Sequence, residues 1–345
     1  VIAMNETITR EQKQRKRIEI PRLAVSNIFG KYKKEEKKAV RAPEVIEDQT
    51  LNQLRQVWVN FQWKDEIHTW SENYPRCLKA TRGIQYTSKD VEKFGIALAE
   101  FADMEGFPKR AGIFLSALIN KCPERDFVIH TRHLRIDCLG YKNSKNVIID
   151  GDIGAQLGSY MKGGRITVEG NTRSWSGISM ENGEIIINGD CGWAVGQTMT
   201  GGKITVKGNA GEDAGKCMTG GKIIVNGNAG KGAGSYMKGG IVEIKGNAGE
   251  CAGNYLASGE IIVDGDCSEK LGNNMHGGRI TVKGNAGISA GEEMNGGEIH
   301  IEGKYKRLSK KITRGKIYHK GKLKIDQEYG YIGWGTPPKV YHDEV

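Results

Sequence analysis

Proline is scarce in this chain, at 7 of 345 residues, while glycine is abundant at 49. Collagen needs glycine at every third position with proline beside it, and glycine-rich disorder usually brings proline too, so the imbalance excludes both. Long apolar runs are also missing, and no stretch reaches the roughly 18 residues of a membrane-spanning helix. Residues 1–17 are polar, so no secretory signal is expected and the expected location is cytoplasmic. Cysteine is sparse, scattered and odd in number at 7, which points to reduced thiols rather than a disulfide framework. The net charge of +10 is unevenly held, because residues 1–41 carry 12 Lys or Arg against 5 Glu. The basic balance therefore describes an N-terminal segment and not the whole surface.

What the chain does contain is a repeat. A glycine followed by Asn or Asp begins at Gly151-Asp152 and returns every 19 residues as far as Gly284-Asn285. Three more rows keep the same step: a second glycine from Gly158 to Gly291, a large apolar residue from Met161 to Met294 (Leu256 in one unit), and a third glycine from Gly164 to Gly297. An Ile-x-Val type triplet follows each third glycine, from Ile166 and Val168 to Ile299 and Ile301. Eight units run without an insertion or deletion. A unit of 19 residues is too short for a helical-hairpin repeat, and its alternation has the period of two that marks a strand with one face inward. The spacing predicts a mainly β chain, a parallel β-solenoid with one coil per unit. The Met row and the two Ile/Val rows should line its interior. The Asn/Asp row should form a corner, where such residues tolerate left-handed backbone and bond along the stack.

The recurring units "GNAG", "AG" and "MTGGKIIVNGN" resemble the GXGXG-motif β-helix family. That family includes the C-terminal domain of the glutamate synthase large subunit and most of one component of formylmethanofuran dehydrogenase. The resemblance covers about residues 146–303. It implies a right-handed parallel β-helix that serves as a structural element, holds catalytic parts elsewhere and carries no catalytic residues to transfer. Residues 1–145 lie outside it.

Four regions follow. Residues 1–48 read as a basic flexible or extended arm, 49–126 as a helix-containing N-terminal domain, 127–325 as the β-helix with lead-in and capping coils, and 326–345 as a tail. Thr87 with Asp90 three residues on starts a helix carrying Val91, Phe94, Leu98 and Phe101 on one face, and Gly106 ends it. Pro108 opens the next, with Ala111, Phe114, Leu115, Leu118 and Ile119 as its stripe. Residues 51–63 fit a helix through Leu51, Leu54 and Trp58 and equally a strand through Val57, Val59, Phe61 and Trp63. "FVIHTR" (127–132) and "LRIDCLG" (134–140) read as two lead-in strands.

Familiar chemistry is excluded by spacing. Gly215-Lys216 is followed by Cys217, with Ala210 where a phosphate loop needs its first glycine. Cys191 and Cys267 share a phase but stand four coils apart, about 19 Å at strand spacing, too far to ligate one ion. His130 and His133 would face opposite ways on one strand. Polysaccharide cleavage needs clustered carboxylates walled by inserted loops, and the units have none; Glu184, Glu260 and Glu298 share their row with Arg165, Lys203, Lys222 and Arg279. No catalytic, cofactor or metal site is expected.

Contact surfaces are better supported. "GNTRSWSG" (170–177) replaces small residues by Arg173 and Trp175, and the next unit offers Trp193, a composition typical of interaction hot spots or of a place where another domain packs. The middle residue of each triplet should point outward, and Ile186, Ile224 and Ile262 on that row predict a covered face, by the helices at 88–121 in preference to a second copy. Arg15, Lys16, Arg17, Lys33 and Lys34 belong to the arm, which reads as a solvated segment, a wrap around another subunit, or a nucleic-acid contact through residues 1–41. The expected function is a non-catalytic scaffold or assembly subunit meeting partner proteins or its own copies through the N-terminal region. Nucleic-acid binding by the arm is the alternative. The resemblance implies a third reading, an accessory subunit of a formylmethanofuran-dehydrogenase-like or glutamate-synthase-like complex.

Overall fold

The computed structural model of the chain describes residues 48–64, 70–327 and 339–340. The arm and most of the C-terminal tail lie outside the described residues. Four helices come first: α1 (Gln49–Asn60), α2 (Trp70–Ala80), α3 (Ser88–Ala97) and α4 (Phe107–Lys121). The ambiguous segment is helical because Asp48 accepts the Leu51 N–H at 3.1 Å, a side-chain cap, and because Leu54 and Trp58 then share one buried face. Trp58 is ringed by Trp63, Phe94, Phe107 and Phe114 at centroid distances of 5.4 to 6.4 Å. α2 is not evident from sequence because Pro75 lies inside it.

At α3 the Thr87–Asp90 capping box forms as expected. The helix ends at Ala97 and tightens into a 3-10 turn over Leu98–Phe101. Gly106 does not end it. With φ of 68° it stands instead at the N-cap of α4.

The strands are β1 (Asp126–His130), β2 (Asn146–Asp150), β3 (Lys162–Val168), β4 (Asn182–Ile187), β5 (Lys203–Val206), β6 (Lys222–Val225), β7 (Lys238–Ile244), β8 (Ser258–Val263), β9 (Arg279–Val282), β10 (Ala286–Ala290), β11 (Asn295–Ile301), β12 (Tyr305–Leu308), β13 (Arg314–His319), β14 (Lys322–Gln327) and β15 (Lys339–Val340). β1 to β9, β11 and β13 form one parallel ladder, and β14 and β15 extend it antiparallel. Ile166, Ile185, Ile204, Ile223, Val242, Ile261, Ile280 and Ile299 are direct partners in successive strands. The chain is thus a parallel β-solenoid with 19-residue coils, as the repeat predicted. Its first step is longer, since Phe127 pairs with Val147. A second ladder runs through Ile153, Thr172, Cys191, Ala210, Ala229, Ala248, Cys267 and Ala286.

The rows that sequence placed inside are inside. Met161, Met180, Met199, Met218, Met237, Leu256, Met275 and Met294 are fully buried, as are the inward Ile and Val residues. Methionine and third glycine are mutually dependent. A Cβ on Gly221 would stand 2.7 Å from Met199 Cε, and one on Gly240 would stand 2.5 Å from Met218 Cε.

The Asn/Asp row bonds along the stack as expected. The Oδ1 of Asp152 accepts the N–H of Asn171 at 2.7 Å, and this relation recurs coil by coil until Asn285 accepts the N–H of Lys304 at 2.8 Å. Its backbone is not left-handed, however. Two other rows of non-glycine residues hold that conformation, for example Gln156, Trp175, Ala194 and Asp213 on one, and Tyr160, Ser179, Thr198 and Cys217 on the other, with φ between 54° and 63°. Each such residue costs roughly 1–2 kcal/mol of local strain. Main-chain bonds between coils offset it: Cys217 donates to Ser235 O of the following coil at 2.9 Å, while Gly215 donates to Val195 O of the preceding one at 2.8 Å. Residues 134–140 belong to this turn type in the first coil, with φ of 60° at Cys138 and 78° at Gly140, and are not a second lead-in strand. β1 ends at His130, so His133 lies beyond it in a turn.

The helices close the N-terminal end of the stack. α3 packs on β1, with Gly95 facing Ile129, and α4 lies across the 136–141 turn so closely that a Cβ on Gly112 would stand 1.8 Å from Asp137 O. Ser116 Oγ on α4 accepts the N–H groups of Gly140 at 2.9 Å and Tyr141 at 3.2 Å. The expectation that α3 and α4 cover the outward isoleucines is therefore wrong: their apolar stripe is used at the end of the solenoid, not along its side.

Candidate functional site

The residues singled out by sequence fall into three places. Ile186, Ile224 and Ile262 lie on one straight outward row that reads Ile148, Thr167, Ile186, Thr205, Ile224, Glu243, Ile262, Thr281 and His300 in register. The three are half-buried by their neighbours in the row, whereas Ile148 at its start is 47% exposed. Arg15, Lys16, Arg17, Lys33 and Lys34 lie outside the described residues. Arg173, Trp175 and Trp193 do come together, on the turn edge near the N-terminal end of the stack.

The two tryptophans are one residue out of phase. Trp175 occupies a left-handed position, and Trp193 stands on the row that holds Ser174 and Glu212 in the adjacent coils. Their rings still meet at 4.1 Å between centroids, tilted by 59°, and Trp193 remains 45% exposed. The N–H of Trp175 donates to Trp193 O at 2.9 Å, which holds the ledge at backbone level. Arg173 stands on a row that reads Gly154, Gly192, Gly211, Gly230 and Gly249 in other coils. A Cβ at most of these glycines would meet the backbone of the preceding coil within 3 Å, which explains the row. Arg173 is the exception, and its side chain is exposed.

Beside Arg173 lies a cavity of about 430 Å³, lined by the 131–135 turn, the 152–154 corner and the 171–173 corner. Arg132, His133 and Arg135 join Arg173 there. Sequence reading missed these three because the first coil step is 20 residues, which puts them out of phase. Counting 20 from the Phe127–Val147 pair sets Arg132 beneath Asp152, but the step shortens beyond it, since Gly154 donates to Ile136 O, and His133 and Arg135 lie between without a counterpart.

A second polar cluster ties the cap to the solenoid. His130 Nε2 meets Glu92 Oε1 of α3 at 2.9 Å, and its Nδ1 meets Asp150 Oδ2 of β2 at 3.0 Å. Arg132 holds the other oxygen of Asp150 at 2.8 Å. Hydrogen bonds from Glu92 and Asp150 raise the His130 pKa, and Arg132, followed by His130, lowers that of Asp150. Both ring nitrogens can donate only in the imidazolium form.

The cysteines form no such cluster. Cys191 and Cys267 sit on the second ladder with Ala210, Ala229 and Ala248 between them. Burial pushes the Cys138 and Cys267 thiols up to about 12, which makes them poor nucleophiles at neutral pH. The mixed-charge row is an ion-pair ladder: Arg165 and Lys203 flank Glu184 at 2.9 and 3.2 Å, and Arg279 meets Glu298 at 2.9 Å. No protein-family model matches the chain, and no curated protein matches it.

Proposed function

We propose that this chain is a non-catalytic structural scaffold or assembly subunit, a GXGXG-type β-helix that contacts partner protein through its N-terminal region. The observation that carries the reading is the unbroken 19-residue register from β2 to β9. A stack without inserted loops has no walls in which to enclose a substrate, but it makes a long, regular support. The Trp175–Trp193 ledge beside Arg173, with Trp193 exposed, adds the aromatic and arginine content of protein hot spots. Its resemblance to the GXGXG family supports the finer version, an accessory subunit of a formylmethanofuran-dehydrogenase-like or glutamate-synthase-like complex.

The concentration of 12 basic residues in positions 1–41 favours a second reading, in which the arm binds nucleic acid. Purification of the tagged full chain from its native source tests the first. A stoichiometric partner protein that is lost when residues 1–47 are removed is the expected result. Recovery of the full chain alone, or with nucleic acid that is released steeply by salt, would overturn it in favour of the second reading.

A further inference from the structure

The Asn/Asp ladder has a beginning, and the cavity lies there. From Asn171 upward, each corner N–H is accepted by an Oδ1 one coil below. Asp152 is the first member, and no Asn or Asp stands beneath it in the 131–133 turn. Among the described residues its N–H has no acceptor. By the geometry of the coils above, that N–H aims down the stack at the turn which forms the cavity's other wall. Thr131, also in the wall, is 3% exposed, and its buried hydroxyl has no hydrogen-bond partner. Every later coil pairs its corner N–H with a carboxyl or carboxamide oxygen; the first corner leaves its N–H open.

The charges around it specify an anion. Arg132 gives Nε and Nη2 to Asp150, and Arg135 lies 3.5 Å from Asp137, while Arg173 forms no ion pair among the described residues. Asp152 contributes the opposing charge, with its Oδ1 engaged by both the N–H and Nδ2 of Asn171. Guanidinium groups together with an unpaired N–H are a donor set that phosphoryl oxygens accept from. Two residues beyond Arg173 begins the tryptophan ledge, whose exposed ring suits a nucleobase.

We propose that this cavity binds the phosphate of a nucleotide, with the base stacked on the Trp175–Trp193 ledge. The site does not involve the arm, but it shares Arg173 and the Trp175–Trp193 ledge with the partner-contact surface of the scaffold reading; recovery of a partner tests that reading and nucleotide titration tests this one, so the two can fail separately. The shared chemistry is a nucleoside phosphate, and its source is either a free nucleotide or the phosphorylated end of a strand.

Calorimetric titration of the full chain with AMP, ATP, inorganic phosphate and a short oligonucleotide bearing a terminal phosphate tests it. Nucleotides are expected to bind more tightly than inorganic phosphate. Arg173→Gly installs the residue that most other coils hold at this position, so the fold should survive while nucleotide affinity falls about tenfold. Trp193→Ala should bring nucleotide affinity down to that of inorganic phosphate. If the oligonucleotide binds and AMP and ATP do not, the source is a strand end and the assignment holds. No binding of any of these at millimolar concentration, affinity unchanged in Arg173→Gly, or inorganic phosphate binding as tightly as the nucleoside phosphates would each overturn it.

Discussion

Met218 shows how closely single residues are constrained by their stacking neighbours. It is fully buried, and its Cε fills the space beneath Gly240 in the next coil. Met218→Asp would bury an unpaired charge and should cost several kcal/mol, whereas Met218→Leu repeats what Leu256 already does and should cost less than about 1.5 kcal/mol. Chemical denaturation checks both, and an Asp variant as stable as the parent would be incompatible with a Met row inside the stack. Gly240→Ala should be costly as well, by about 1–3 kcal/mol, because φ is 83° there and the added Cβ meets Met218 Cε at 2.5 Å. The methionine and glycine rows were legible because one residue type recurs. The two left-handed rows were not, because Gln, Trp, Ala, Asp, Cys, Lys and Ser all appear on one of them. A constraint on φ that is met by inter-coil hydrogen bonds leaves no compositional trace.

At the scale of elements, the junction between the helical cap and the first two strands depends on His130. Its imidazolium bridges Glu92 on α3 and Asp150 on β2, and both contacts raise its pKa. A raised folded-state value means that the stabilisation is complete below the unfolded value of about 6.5 and is lost as pH rises through the higher folded value. Thermal unfolding should therefore show stability falling on the alkaline side of that window, and His130→Gln should remove this fall. Equal pH profiles for the two proteins would mean that the bridge contributes nothing. The helices themselves were partly legible. The capping box and the stripe of α4 are explicit in sequence, while α1 needed Asp48 and the aromatic cluster to decide it, and the proline inside α2 masks that helix. The destination of the α3 and α4 stripe was not legible, because a solenoid has an end as well as a side.

The whole molecule behaves as a stack in which each coil contacts only its neighbours. Removing residues 209–227, one full period, should join Gly208 to Asn228 and leave every row in register. Removing one residue fewer should misalign the rows and turn Ile and Val outward. Circular dichroism melts should show cooperative unfolding for the first deletion only. On this scale the solenoid was legible in full between residues 146 and 303, since periodicity is a long-range signal. The candidate sites were legible only where they break the period. Arg173 stands out on a row that is mostly glycine, and Trp175 and Trp193 as bulky aromatics on rows of mixed small and polar residues, whereas Arg132, His133 and Arg135 lie in the one lead-in coil whose length differs.

The antiparallel return at the far end has a consequence for assembly. A parallel ladder offers the same edge after every coil, so an open terminal coil is a template on which another chain can add, and then another. Here α3 and α4 occupy one edge, and β14, running backwards against β13 with β15 beyond it, occupies the other. A chain ending at residue 321 would keep β13 on β11 but leave its outer edge open. With α3 and α4 still covering the opposite end, it should pair tail to tail into dimers, detected by light scattering, while the parent shows no such pairing.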